Sequence, residues 1–116
     1  MTDMHRTTAA ECRRFPHVPF STDLTVVDLL DRRRYAGHSI DLSRGGIGFY
    51  AERFFPAGTR IDVVVPAGPG PGRAVSLPAT VRWSRIEADG AVMGAEFDTL
   101  LGPAVCPELY ERLCSC

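Results

Sequence analysis

VSLPATVRWS, residues 75–84, sets apolar and polar side chains in strict alternation. Val75, Leu77, Ala79, Val81 and Trp83 fall on one side of an extended chain, and Ser76, Pro78, Thr80, Arg82 and Ser84 on the other. A period of two belongs to a strand with one face buried, so this stretch predicts a strand with Trp83 in the core. Downstream, Asp89-Gly90 is a hairpin signal, and VMGAEF, residues 92–97, forms the return strand. Upstream, PAGPGPGR, residues 66–73, reads as a loop, because its prolines lack the amide protons that a helix or central strand needs.

Four more short segments precede that loop, at residues 23–30, 35–43, 47–51 and 60–65. They are separated by Asp31-Arg32-Arg33-Arg34, by Gly45-Gly46 and by Pro56-Ala57-Gly58. Six short strands at regular spacing predict an all-β fold, a small six-stranded antiparallel barrel of Greek-key or split form. Closure also removes exposed strand edges, and the arginine triplet reads as a solvated turn that discourages edge association. Helical spacing is confined to the end, where Val105, Cys106, Leu109, Tyr110, Leu113 and Cys114 make one stripe beside Pro103 and Pro107. Phe15, Phe20, Phe49 and Phe97 are expected in the core or at its rim.

A chain of 116 residues is one domain by length. Residues 1–11 are polar and aperiodic and are expected to be flexible, leaving residues 12–116 as the barrel domain. Thirteen basic against fourteen acidic residues argue against binding of bulk nucleic acid or a membrane surface. Every basic residue is arginine, so a binding site here has only guanidinium cations to use. No charged-then-apolar leader and no membrane-length apolar run occur, which predicts a cytoplasmic protein with Cys12, Cys106, Cys114 and Cys116 reduced. Cys114-Ser-Cys116 lacks metal-knuckle spacing, and no metal or other cofactor is expected. Ser43 lies in no nucleophile elbow, and a chain without lysine has no P-loop, so no catalytic residue is assigned.

The chemistry concentrates in DLSRGGIGFY, residues 41–50. With residues 35–43 as a strand, alternation turns His38, Ile40 and Leu42 inward and sets Asp41 and Ser43 together on the outer face. Gly45 and Gly46 then allow a positive φ and a close ligand approach. By itself this is a polar face running into a glycine hairpin. Adjacent arginines at Arg13 and Arg14, just ahead of the first strand, add to it. A carboxylate accepts the N1–H and N2–H of guanine, and an arginine grips O6 and N7 or a phosphate. Together they make a kit for a guanine nucleotide.

The chain resembles the PilZ family of bacterial receptors for cyclic di-GMP. That family carries R-x-x-x-R ahead of the barrel and [D/N]-x-S-x-x-G after the second strand, and Asp41-Leu42-Ser43-Arg44-Gly45-Gly46 matches the second element in full. The resemblance continues through Pro56–Gly58, Ala79–Trp83 and Met93–Phe97, over roughly residues 12–113. It implies a six-stranded barrel with a C-terminal helix, and a non-catalytic receptor that relays the signal to a protein partner. It also implies that Arg13, with Arg14, clamps phosphate and the guanine Hoogsteen edge, and that Asp41 and Ser43 hold one guanine. Gly46 would give clearance and Arg44 an extra charge, and the N-terminal arm would fold over the ligand. His17 stands where the second arginine belongs, a loss worth roughly ten- to a hundred-fold in affinity. The alternative is a degenerate PilZ domain that does not bind the messenger and acts as an interaction module in pilus, motility or exopolysaccharide regulation.

Overall fold

The computed structural model describes residues 15–66 and 72–114. In chain order it holds β1 (Val18–Pro19), β2 (Asp23–Asp28), β3 (Arg34–Leu42), β4 (Gly46–Ala51), β5 (Arg60–Pro66), β6 (Ala74–Glu87), β7 (Gly90–Phe97) and α1 (Pro107–Cys114). Strands β3, β2, β5, β6, β7 and β4 neighbour one another in that order, and β4 pairs back onto β3. The result is the predicted closed six-stranded antiparallel barrel with one C-terminal helix. The two-residue β1 is an addition, pairing with β3 at Leu42 and Asp41 where β2 has already left that edge. Residues 1–14, 67–71 and 115–116, which include the expected flexible arm, Arg13, Arg14, Cys12 and Cys116, lie outside the described residues.

Alternation fills the barrel. In β5 the side chains of Ile61, Val63 and Val65 point inward and are fully buried, and they meet Val26, Phe49, Val81 and Met93 from the other strands. Burying one such side chain contributes roughly 1.5–3 kcal/mol, so this layer dominates stability. Phe20, Phe49 and Phe97 belong to the same cluster, as expected. Helix α1 opens on Pro107, whose missing amide proton is no loss in a first turn, and carries Glu108 early and Arg112 late, in accord with its dipole. Cys106 and Leu109 join the core and Leu113 packs against it, whereas Val105 and Cys114 of the predicted stripe are exposed.

Two bulges overturn expectations drawn from strict alternation. On β6, Val81 pairs with Ala95 and Trp83 with Gly94, so Arg82 is an extra residue opposite none. Each inserted residue reverses which face the following side chains occupy. Trp83 therefore leaves the core and stands 41% exposed. On β3, Ser39 pairs with Phe49 and Asp41 with Gly48, so Ile40 is the extra residue and is 47% exposed. His38 is likewise outside, and Ser39 takes the inward position predicted for its neighbours. The buried Ser39 hydroxyl donates to Phe20 O at 2.6 Å and accepts from Thr22 N at 2.9 Å, so its burial leaves no polar atom unpaired.

Candidate functional site

The turn between β3 and β4 is held from inside by Ser43. Its Oγ accepts Gly46 N–H at 3.1 Å and Gly45 N–H at 3.2 Å, while its own backbone N–H donates to Gly46 O at 2.9 Å. The residue is 3% exposed, contrary to the expected outward pose beside Asp41. The reason is local: β3 ends at Leu42, so alternation does not reach residue 43. Neither Gly45 nor Gly46 adopts positive φ; among the described residues that conformation occurs at Arg32, Gly58 and Gly72. A side chain at Gly46 would collide with the Ala95 carbonyl, so this glycine is required by the closeness of β4 to β7.

Asp41 does project into a cleft. Its Oδ1 accepts the buried Gly48 N–H at 3.1 Å and lies 3.3 Å from Nδ1 of His17. Among the described residues, Oδ2 has no hydrogen-bond partner. Gly48 makes this arrangement possible, because a Cβ there would sit 2.7 Å from Oδ1. His17 arrives on the segment leading into β1, whose pairing with β3 sets it alongside the carboxylate.

The opposite wall comes from β6 and β7. Trp83, turned outward by the bulge, packs its indole on Gly94, where any side chain would overlap Nε1 and Cε2 of the ring. Arg82 donates from Nε to Glu96 Oε1 at 2.6 Å, and both residues line the cleft with His17, Asp41 and Trp83. The described cleft thus opposes one guanidinium to two carboxylates, Asp41 and Glu96. A phosphate-bearing ligand would need more cations, and Arg13 and Arg14 stand four and three residues before His17 in sequence.

The structure therefore brings His17, Asp41, Ser43 and Gly46 to one place, the first two through side chains. Arg44, expected to add charge there, is engaged elsewhere. Its Nε donates to Leu101 O at 2.8 Å, and its guanidinium lies 5.8 Å from the Phe15 ring centre and 5.6 Å from that of Tyr110. It brackets the entering chain to α1. Trp83, Arg82 and Gly48 were not singled out for the site. Only Gly48 had a signal in the sequence, the second glycine of G-I-G following an acid.

A second polar cluster surrounds His38. Its Nδ1 lies 3.0 Å from Asp23 Oδ1 and its Nε2 2.7 Å from Ser21 Oγ. The order of groups resembles a hydrolase relay, but the Asp23 side chain is 96% exposed, and water competes for its hydrogen bonds. The nearby Thr22 N–H, which an oxyanion would need free, donates to Ser39. No grouping of three or more metal-ligating side chains occurs among the described residues, and no helix there is long and apolar enough to cross a membrane.

The family model of the PilZ domain matches residues 11–112. Among solved structures, the Bacillus subtilis inhibitor of motility (MotI/DgrA) superposes with a TM-score of 0.66 at 15% identity, over 89% of this chain and 52% of that one. This chain thus spans about half the length of that protein. The PilZ domain of YcgR from Escherichia coli, solved with c-di-GMP, superposes with a TM-score of 0.62 at 19% identity, over 89% of each chain. At such identities the likeness is one of fold. No curated protein matches the sequence. With nearly the whole chain matched by the family model and the barrel independently closed by its own strand pairing, this protein belongs to the PilZ domain family.

Proposed function

We propose that this domain is a non-catalytic receptor for cyclic di-GMP. The observation that carries the proposal is Asp41: a half-exposed carboxylate, fixed by Gly48 N–H through one oxygen, with the other open in a cleft walled by Trp83. A guanine N1–H and N2–H pair would donate to that carboxylate, and the indole offers a stacking face for the base. Ser43 contributes by holding the turn. Arg13 and Arg14 would supply the phosphate contacts that the acidic cleft lacks, the N-terminal segment closing over the ligand to create a new surface for a protein partner. The c-di-GMP complex of the YcgR PilZ domain supports this reading.

One observation favours the second reading, an interaction module that binds no nucleotide. His17 replaces an arginine of the family pattern and leans on Asp41 Oδ1, the atom a guanine would share. Calorimetric titration of the full chain with cyclic di-GMP separates the two. Saturable heat, lost in an Asp41 variant that stays folded, is expected. No heat at near-millimolar ligand would leave the interaction module as the function.

A further inference from the structure

Four arginines without a carboxylate partner lie at the other end of the barrel. Arg60, Arg73, Arg82 and Arg85 each pair with a carboxylate. Arg32, Arg33, Arg34 and Arg53 have no such partner among the described residues. Arg53 lines, with Leu29, Leu30, Phe54 and Pro56, a groove of about 580 Å³ where β2 turns into β3 and β4 leaves the barrel, and Arg32–Arg34 follow Leu30 in the adjoining turn, whose backbone bonds to the groove residue Asp28. Leu30 is 94% exposed, and Phe54 is exposed as well. Exposing a leucine and a phenylalanine together at one mouth forgoes burial that either would favour.

The acids of this end are already engaged with backbone. Asp28 Oδ1 accepts Leu30 N–H, Asp31 Oδ1 accepts Arg33 N–H, and Glu52 Oε1 accepts Ala36 N–H. These bonds fix the groove's lips. Arg53 donates to the Tyr35 hydroxyl and packs on the rings of Tyr35 and Phe55, which hold it in place at the groove. We infer that this groove docks an acidic protein segment carrying an aliphatic or aromatic anchor. The anchor side chain fills the concavity between Leu30 and Phe54, and flanking carboxylates meet the arginine forks bidentately. A concavity of this size suits an inserted side chain better than a flat lipid surface. From Arg34 to Asp41 β3 runs about 20 Å, so this face is separate from the nucleotide cleft and goes beyond the receptor reading.

The test uses the full chain, without nucleotide, as bait for a displayed library of random peptides, with the Leu30→Ser variant as counter-selection. Because Leu30 touches no core, that variant should melt with the wild type. Enriched peptides are expected to carry Asp or Glu around a Leu, Phe or Trp. The most enriched should bind about tenfold more weakly to Leu30→Ser and to Arg33→Glu, as loss of one anchor or one charged contact requires, and equally to Asp41→Asn. No enrichment over the counter-selection, or enrichment of peptides without acids, overturns the inference. So does co-sedimentation with phosphatidylglycerol vesicles that Arg33→Glu abolishes while no peptide is enriched. None of these results depends on whether cyclic di-GMP binds.

Discussion

Replacing Asp41 with Asn and with Ala separates the carboxylate's two tasks. Ala removes the acceptor of Gly48 N–H, a buried amide now bonded at 3.1 Å. An orphaned buried donor costs about 1–3 kcal/mol, and the half-exposed position of Asp41 lets water relieve part of that, which points to about 1 kcal/mol. For a domain of this size the melting temperature should fall by roughly 4 °C. Asn keeps an acceptor for Gly48 and should stay within about 0.5 kcal/mol of the wild type. It nevertheless offers guanine one acceptor and a clashing donor in place of a charged pair of oxygens. Losing two charge-assisted hydrogen bonds of about 1.5–3 kcal/mol each predicts at least a hundred-fold weaker nucleotide binding. Thermal melts and calorimetric titration of both variants check this. If Asn melts as low as Ala, the negative charge itself holds the turn; if Asn binds like the wild type, the carboxylate does not face the base.

Trp83→Ala should weaken nucleotide binding by about 1–3 kcal/mol, one stacked base, with the fold intact by circular dichroism; unchanged affinity would remove the indole from the site. His17→Arg should strengthen binding by about 1.5–3 kcal/mol in the same titration, provided the position faces phosphate or base. The paired Arg60 guanidinium holds the Asp98 carboxyl below its usual range through hydrogen bonds of 2.6 and 2.7 Å. A depressed carboxyl stabilises the fold at neutral pH and loses that contribution as pH drops through its lowered folded value. Carboxyl-carbon NMR titration should place the Asp98 midpoint under those of exposed aspartates, and Arg60→Gln should raise it.

Much of this molecule follows from its order of residues alone. The period of two along residues 75–81 required a strand with one buried face, and Leu77, Ala79 and Val81 are buried where that period puts them. The single stripe at helical spacing located α1, and glycine and proline pairs separated the strands, because backbone stereochemistry is local. Asp41 and the turn after it were legible for the same reason. What faces what was not. An extra residue at Ile40 and another at Arg82 look like any strand residue in sequence; only pairing against Phe49 and Gly48, or Ala95 and Gly94, leaves them unmatched and reverses the faces beyond. The shift at Arg82 put Trp83 in the cleft with Asp41, and the shift at Ile40 buried Ser39 and exposed His38 on the side before it while Leu42 kept its inward place. Arg44 was likewise decided at a distance, by Leu101 and Tyr110 more than fifty residues on. Strand character is written in neighbours along the chain, whereas the cleft depends on register between strands, which is settled only when the barrel closes.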